Sequence, residues 1–153
     1  MRNRILKSLA ILAACTSVLI LTTPGYAQFR SRDYSRWEVD RLIRQAQFRS
    51  DRFAAMIDSS LGTDLEESSS DDRLSMRTRN LERQLDIVRQ AFNETRDFRD
   101  VRSEVSTALN MARRVDYQMR RANLDSATER QWTMLRSDLN QLARAFDLPS
   151  IGY

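Results

Sequence analysis

The sequence predicts an all-α protein: an antiparallel up-down-up-down four-helix bundle that follows an N-terminal export signal. Three observations predict it. Beyond residue 27 the only Gly and Pro residues are Gly62, Pro149 and Gly152, so the chain has few residues for tight turns or for punctuating strands. Apolar residues recur there at steps of three and four in four separate stretches, the period of a helix with one buried face. Ser35-Arg36-Trp37-Glu38 and Ser126-Ala127-Thr128-Glu129 read as capping boxes, in which a Ser oxygen takes a backbone N–H and a Glu reaches back.

Residues 1–27 read as a signal peptide. Arg2, Arg4 and Lys7 make a positive start, the run from Leu9 to Leu21 is apolar, and Gly25-Tyr26-Ala27 sets small residues where a signal peptidase needs them. Cleavage after Ala27 leaves Gln28 as the first residue. The uncharged run between Lys7 and Pro24 is 16 residues, short of the ~20 a membrane-crossing helix needs. The expected fate is export, to the periplasm or beyond. Leu12-Ala13-Ala14-Cys15 supplies the alternative, a lipobox with acylation at Cys15, although here the apolar stretch continues past the Cys.

A linker of residues 28–34 leads to a bundle expected over residues 35–148. The first helix starts at the Ser35 box and runs to about Leu61, with Val39, Leu42, Ile43, Ala46, Phe53, Met56 and Ile57 on one face and Gly62 as its stop. A Ser-rich acidic loop follows, and Ser70 or Asp71 caps the second helix. Its stripe is Leu74, Thr78, Leu81, Leu85, Val88 and Phe92, a heptad seam with Thr78 filling one position. A turn is expected around Asn93 to Asp97. The third helix carries Val101, Val105, Ala108, Ala112, Val115, Met119 and Ala122, and the fourth Trp132, Leu135, Leu139, Leu142 and Phe146. That helix stops before Leu148-Pro149, because proline lacks the N–H and clashes with the preceding turn; residues 149–153 form a C-terminal tail. Four such faces are hidden most economically against one another. Whether the seams close within one chain or between chains stays open.

Two segment pairs hint at a duplicated helical hairpin. Glu38-Val39 through Ala46 parallels Glu104-Val105 through Ala112, and Leu81, Leu85, Ala91 and Phe92 parallel Leu135, Leu139, Ala145 and Phe146. Heptad periodicity alone produces such matches as well.

Composition narrows the chemistry. The chain has no His and a single Cys, Cys15 within the leader, which removes imidazole bases, imidazole metal ligands and disulfides from the rest. Once the leader is removed, 22 basic residues face 21 acidic ones, a net charge of +1, far from the one-sided excess of a bulk nucleic-acid binder. All 22 are Arg, which forks onto carboxylates and covers apolar surface with its stem. Asp58-Ser59-Ser60-Leu61-Gly62 does not match the EF-hand spacing, and no Gly-rich phosphate loop is present. Glu66-Glu67 lies in a Ser-rich loop that offers neither desolvation nor an activator. No cofactor, no metal and no enzymatic activity are expected.

The strongest charge feature is a pair of opposites. Asp64, Glu66, Glu67, Asp71 and Asp72 form an acidic loop, while Arg113, Arg114, Arg120 and Arg121 form a basic band opposed locally only by Asp116. Either the two clusters complement each other or stay as two solvated faces, or the band docks an anionic partner: an acidic protein, a phosphate or an acidic envelope polymer.

An export signal followed by an all-helical domain rich in Arg and Gln resembles the periplasmic stress chaperones of the spheroplast-protein family, although that family's repeated Leu-Thr-x-x-Gln motif is only echoed by Leu124-Asp125-Ser126-Ala127-Thr128-Glu129-Arg130-Gln131. The resemblance implies a holding chaperone for unfolded envelope proteins. The segment Trp132-x-x-Leu135-Arg136-Ser137-Asp138-Leu139-Asn140-Gln141-Leu142-Ala143 is similar to one that ends small uncharacterised exported bacterial proteins, and it implies no activity. The leading expectation is a non-enzymatic exported helical protein that acts by surface interaction in the cell envelope, with the chaperone as the alternative.

Overall fold

The computed structural model describes residues 34–61, 69–122 and 124–152. The expected export signal with Cys15, the expected stop at Gly62 and the acids Asp64, Glu66 and Glu67 lie outside these residues, as does the side chain of Asp71. The described chain is all-helical, with no strand among these residues. Its four α-helices are α1 (Arg36–Leu61), α2 (Ser69–Glu94), α3 (Arg102–Met119) and α4 (Ser126–Ala145), and a single 3-10 turn (Phe98–Val101) precedes α3.

The start of α1 is the expected capping box. Ser35 Oγ accepts from the Glu38 N–H at 3.2 Å, and the Ser35 N–H donates to Glu38 Oε2 at 2.9 Å. The start of α4 differs from expectation by one residue. Asp125, in extended backbone, is the N-cap, and its carboxylate accepts from the N–H groups of Ala127 and Thr128 at 2.7 and 3.0 Å. A carboxylate beside the helix dipole takes the place the Ser hydroxyl would have filled. The Thr128 hydroxyl, 2.6 Å from Asp125 Oδ2, and those two N–H groups hold this carboxyl below its ordinary range.

Between α2 and α3 the chain does more than turn. Asp97 caps the 3-10 turn by accepting from the Arg99 N–H at 2.9 Å. The turn drives Phe98 inward, edge-on to Phe146 with ring centroids 5.7 Å apart. The third helix proper therefore starts at Arg102, and Val101 joins the core from the 3-10 turn.

Helix α1 packs on α2 and on α4, α2 packs on α3, and α3 meets α4 more sparingly. Polar ties show which ends meet. Arg36 at the start of α1 donates to the carbonyls of Phe92 and Arg96 at the end of α2, and Asp58 near the end of α1 accepts from Ser75 and Arg79 early in α2. Arg102 at the start of α3 donates to the carbonyls of Phe146 and Asp147 just past α4, which satisfies acceptors that a helix end leaves orphaned.

One contiguous core holds the expected stripes, including all of Leu74, Leu81, Leu85, Val88 and Phe92 from α2, with Thr78 buried among them. On α1 the expected face is buried except at one position: Met56 is only half-buried, and Ala54 is buried in addition. Leu109 on α3 joins as an extra core position, because it faces α4 beside the Val105–Ala112 stripe. The segment assigned to a C-terminal tail also enters the core, since Ile151 is 0 % exposed. Asn140 on α4 clamps it by accepting from the Ile151 N–H at 2.7 Å and donating to the Ile151 carbonyl at 3.3 Å, while Arg113 on α3 holds the Pro149 carbonyl at 2.6 Å. The tail thus fills the seam where α3 and α4 touch least.

Leu139 is fully buried in this core. Leu139→Asp should lower unfolding free energy by about 3–5 kcal/mol, by losing apolar burial and stranding a carboxylate, and urea denaturation followed by circular dichroism measures it. A midpoint unchanged from the parent would contradict the core assignment.

Candidate functional site

The arginine band on α3 divides in two. At 100° per residue, positions 113 and 120 share one side of the helix, and 114 and 121 share a side about 100° further round. Arg113 and Arg120 turn toward α4 and the tail. The Arg114 side chain is exposed while its carbonyl accepts from Arg77 of α2, and Arg121 lies over the Tyr117 ring of α3, with its guanidinium carbon 5.2 Å from the ring centre. Arg121 and Arg73 line a separate cleft of about 440 Å³ between α2 and α3. Of the acids expected to answer this band, only Asp72 has a described side chain, exposed in the first turn of α2.

The side that holds Arg113 and Arg120 contains the most organised polar cluster in the protein. Asp116, 5 % exposed, accepts on Oδ1 from Trp132 Nε1 at 2.9 Å and from Arg136 Nη1 at 3.1 Å. Its Oδ2 accepts from Arg120 Nε and Nη2 at 3.1 and 2.6 Å. Burial pushes the Asp116 carboxyl upward, but the hydrogen bonds from Trp132, Arg120 and Arg136 together outweigh it and hold the carboxyl below its ordinary range. Trp132 reads in the sequence simply as core, yet it also supplies the donor that lets a carboxylate sit at the edge of that core; its ring meets Phe53 at 5.4 Å.

Above this cluster runs a groove of about 480 Å³ lined by Arg120, Arg136 and Arg144, with Thr133, Ser137 and Asn140 between them. Arg136, Asn140 and Arg144 are four residues apart on α4 and so rise on one face. Asp116 takes up part of the hydrogen-bonding capacity of Arg120 and Arg136. Arg144 is exposed and makes no ion pair among the described residues. The tail forms the groove's end at Gly152, whose φ is +46°. A Cβ there would come within 2.7 Å of Arg120 Nη2 and 2.8 Å of Asp116 Oδ2, so glycine meets two demands, the left-handed backbone and the close approach. Chemically the groove offers planar donor forks and hydroxyls, with its one carboxylate already engaged; it suits paired oxyanions.

A second buried carboxylate contrasts with the first. Asp138, 3 % exposed, sits between α4 and α1, where it pairs with Arg49 and accepts from Gln45 Nε2 at 2.8 Å. Here burial wins over Arg49 and Gln45, and the carboxyl is pushed above its ordinary range. Acids also collect on the α1–α2 seam. Asp51 is raised by burial and by Asp86, and Glu82 by burial and by Asp51, Asp86 and Asp58, with Arg79 opposing. Asp58, tested in sequence as part of a calcium loop, is engaged by Ser75 and Arg79. No group of three or more Asp, Glu, Cys or His among the described residues is placed to hold a metal ion, and none of the helices described is long and apolar enough to cross a membrane.

Of the four arginines singled out in sequence, the structure therefore keeps only Arg120 in the groove. It adds Arg136 and Arg144, which sequence reading missed because they lie on another helix. Comparison with protein-family models, with curated proteins and with solved structures yields no match.

Asp116 and Asp138 should respond to acid in opposite senses. The lowered carboxyl of Asp116 contributes stability that is complete above its unfolded pKa of about 3.9 and is lost as pH falls through the folded value. The raised carboxyl of Asp138 favours the fold when protonated, and that advantage is lost as pH rises through its folded value. Asp116→Asn should cost about 1–3 kcal/mol at neutral pH and progressively less below about pH 4, whereas the cost of Asp138→Asn should shrink as pH rises. Urea titrations of both variants between about pH 3 and pH 7 read the two slopes; parallel slopes would refute the assignment.

Proposed function

We propose that this is an exported, non-enzymatic helical protein that works by docking an acidic partner, protein or envelope polymer, in the α3–α4 groove. The observation that carries the reading is the groove itself: Arg120 and Arg136 are held in place by a buried carboxylate, and Arg144 stands beside them without an ion pair among the described residues. Guanidinium groups fixed in advance lose less side-chain entropy on meeting a partner's carboxylates or phosphates than free ones do. The export signal of residues 1–27 is the basis for placing the protein in the envelope.

In the proposed arrangement the four helices run up-down-up-down. Antiparallel contacts of α1 with α2, the joining of the α3 start to the α4 end, and the meeting of Ser60 near the end of α1 with Asp125 and Thr128 at the start of α4 all support it. The holding-chaperone alternative draws on exposed apolar side chains on several helices, among them Met76, Ile87 and Met134.

Retention on phosphocellulose separates the groove from the rest of the arginine coat. Arg136→Ala with Arg144→Ala should elute at clearly lower salt than the parent, while Arg114→Ala with Arg121→Ala, the same change in charge elsewhere, should shift elution much less. Equal shifts in the two pairs would mean that only overall charge is read, and the groove would lose its role.

A further inference from the structure

The outward face of α1 carries a feature that the groove does not explain. Trp37 and Phe48 are 63 % and 66 % exposed, the two most exposed large apolar residues described. Eleven residues separate them, three helical turns, so they stand on the same face about 16 Å apart. Arg41 and Arg44 lie between them on that face and Arg52 follows one turn later, all exposed. Arg41 lies over the Trp37 ring, its guanidinium carbon 4.9 Å from the ring centre.

Scattered exposed apolar residues are ordinary; two bulky aromatics in line with arginines on one rigid helix are a pattern. The charge on this face is only partly neutralised locally. Of the acids beside its upper half, Glu38 accepts from Ser35 and Asp40 is shared by Arg44 and Arg89, and neither Arg41 nor Arg52 makes an ion pair among the described residues. Asp51, with Glu82 and Asp86 of α2, flanks the lower half on the α2 side, so the ridge is most positive from Trp37 to Phe48, with Arg52 extending it on the outer side. Among the described residues α1 packs on α2 and α4 and leaves this ridge exposed.

We propose that the α1 ridge docks on an anionic lipid bilayer, with Trp37 and Phe48 entering the interface and Arg41, Arg44 and Arg52 meeting the headgroups. The shape favours a flat and yielding surface: both aromatics project from a convex helix, where no concave site encloses them. The chemistry agrees, because the interface accepts aromatic rings at headgroup depth while arginines reach outward to phosphates. An acidic polysaccharide would be expected to need acceptors as well as donors, and between Trp37 and Phe48 the outermost positions supply donors only. The inference is independent of the α3–α4 groove, since it uses a different helix face.

The test uses the full chain and vesicles of phosphatidylglycerol and phosphatidylcholine with brominated acyl chains. The difference between the emission of the parent and that of Trp37→Phe isolates Trp37 from the buried Trp132, and from any vesicle binding by residues 1–27. Trp37 should be quenched on anionic vesicles and much less on pure phosphatidylcholine. Arg41→Glu with Arg52→Glu, at exposed sites, should weaken this quenching about tenfold or more, whereas Arg136→Ala with Arg144→Ala should leave it intact. Absence of vesicle-dependent quenching of Trp37 overturns the proposal, as does quenching indifferent to the charge reversal. Protection of Trp37 from acrylamide without vesicles would mean that another part of the chain or a second copy covers the ridge, and stronger protection by polyglutamate than by vesicles would assign it to acidic polymers; either result overturns it.

Discussion

With no Cys beyond residue 15 and no His at all, the helical fold depends on one force, the removal of four apolar helix faces from water. Each fully buried Leu or Ile contributes roughly 1.5–3 kcal/mol, and the core takes such residues from every helix and from the tail. The remaining features are arranged around that burial. Helix ends are closed by Ser35, Asp97 and Asp125, and arginine stems and forks from one element reach carbonyls at the end of another, as Arg36 and Arg102 do. The packing is tight enough that a short apolar residue such as Ile151 is drawn in from a segment with no helix of its own.

Polar groups survive at the edge of this core only where partners surround them. Asp116 has a tryptophan N–H and two guanidinium groups, and its charge is favoured. Asp138 has one guanidinium and one amide, and burial prevails. Two things differ between them: more donors are aimed at Asp116, and Asp138 lies deeper, so the cost of its charge is larger and less well met. The first arrangement leaves donors to spare, because the buried acid that fixes Arg120 and Arg136 also presents them to the groove.

How far this was legible depends on the range of the interaction. The Ser35 box, the α2 seam with Thr78, and the end of α4 ahead of Pro149 were all readable, since each rests on residues three or four apart. Asp125 was missed as a cap because Ser126 also had a Glu at the required spacing, and the choice between them depends on backbone angles that no residue list carries. Leu109 and Ala54 were missed because a heptad stripe is narrower than the face a helix buries among several neighbours. Asp116 was visible only as a local counter-charge to the α3 arginines, and Arg136 and Arg144 not at all as part of their site, because the residues that join them come from separate helices.

Sequence alone determined the helical class, the spans of the helices to within a few residues and most of the apolar stripe of each, all consequences of spacing along one chain. Tertiary structure alone decided which arginines share a groove, which carboxylate keeps its charge and that the tail closes the α3–α4 seam around Ile151 and Gly152. The physical reason is that a guanidinium's partners, and the depth at which a carboxylate lies, are set by neighbouring helices, and periodicity carries no record of them.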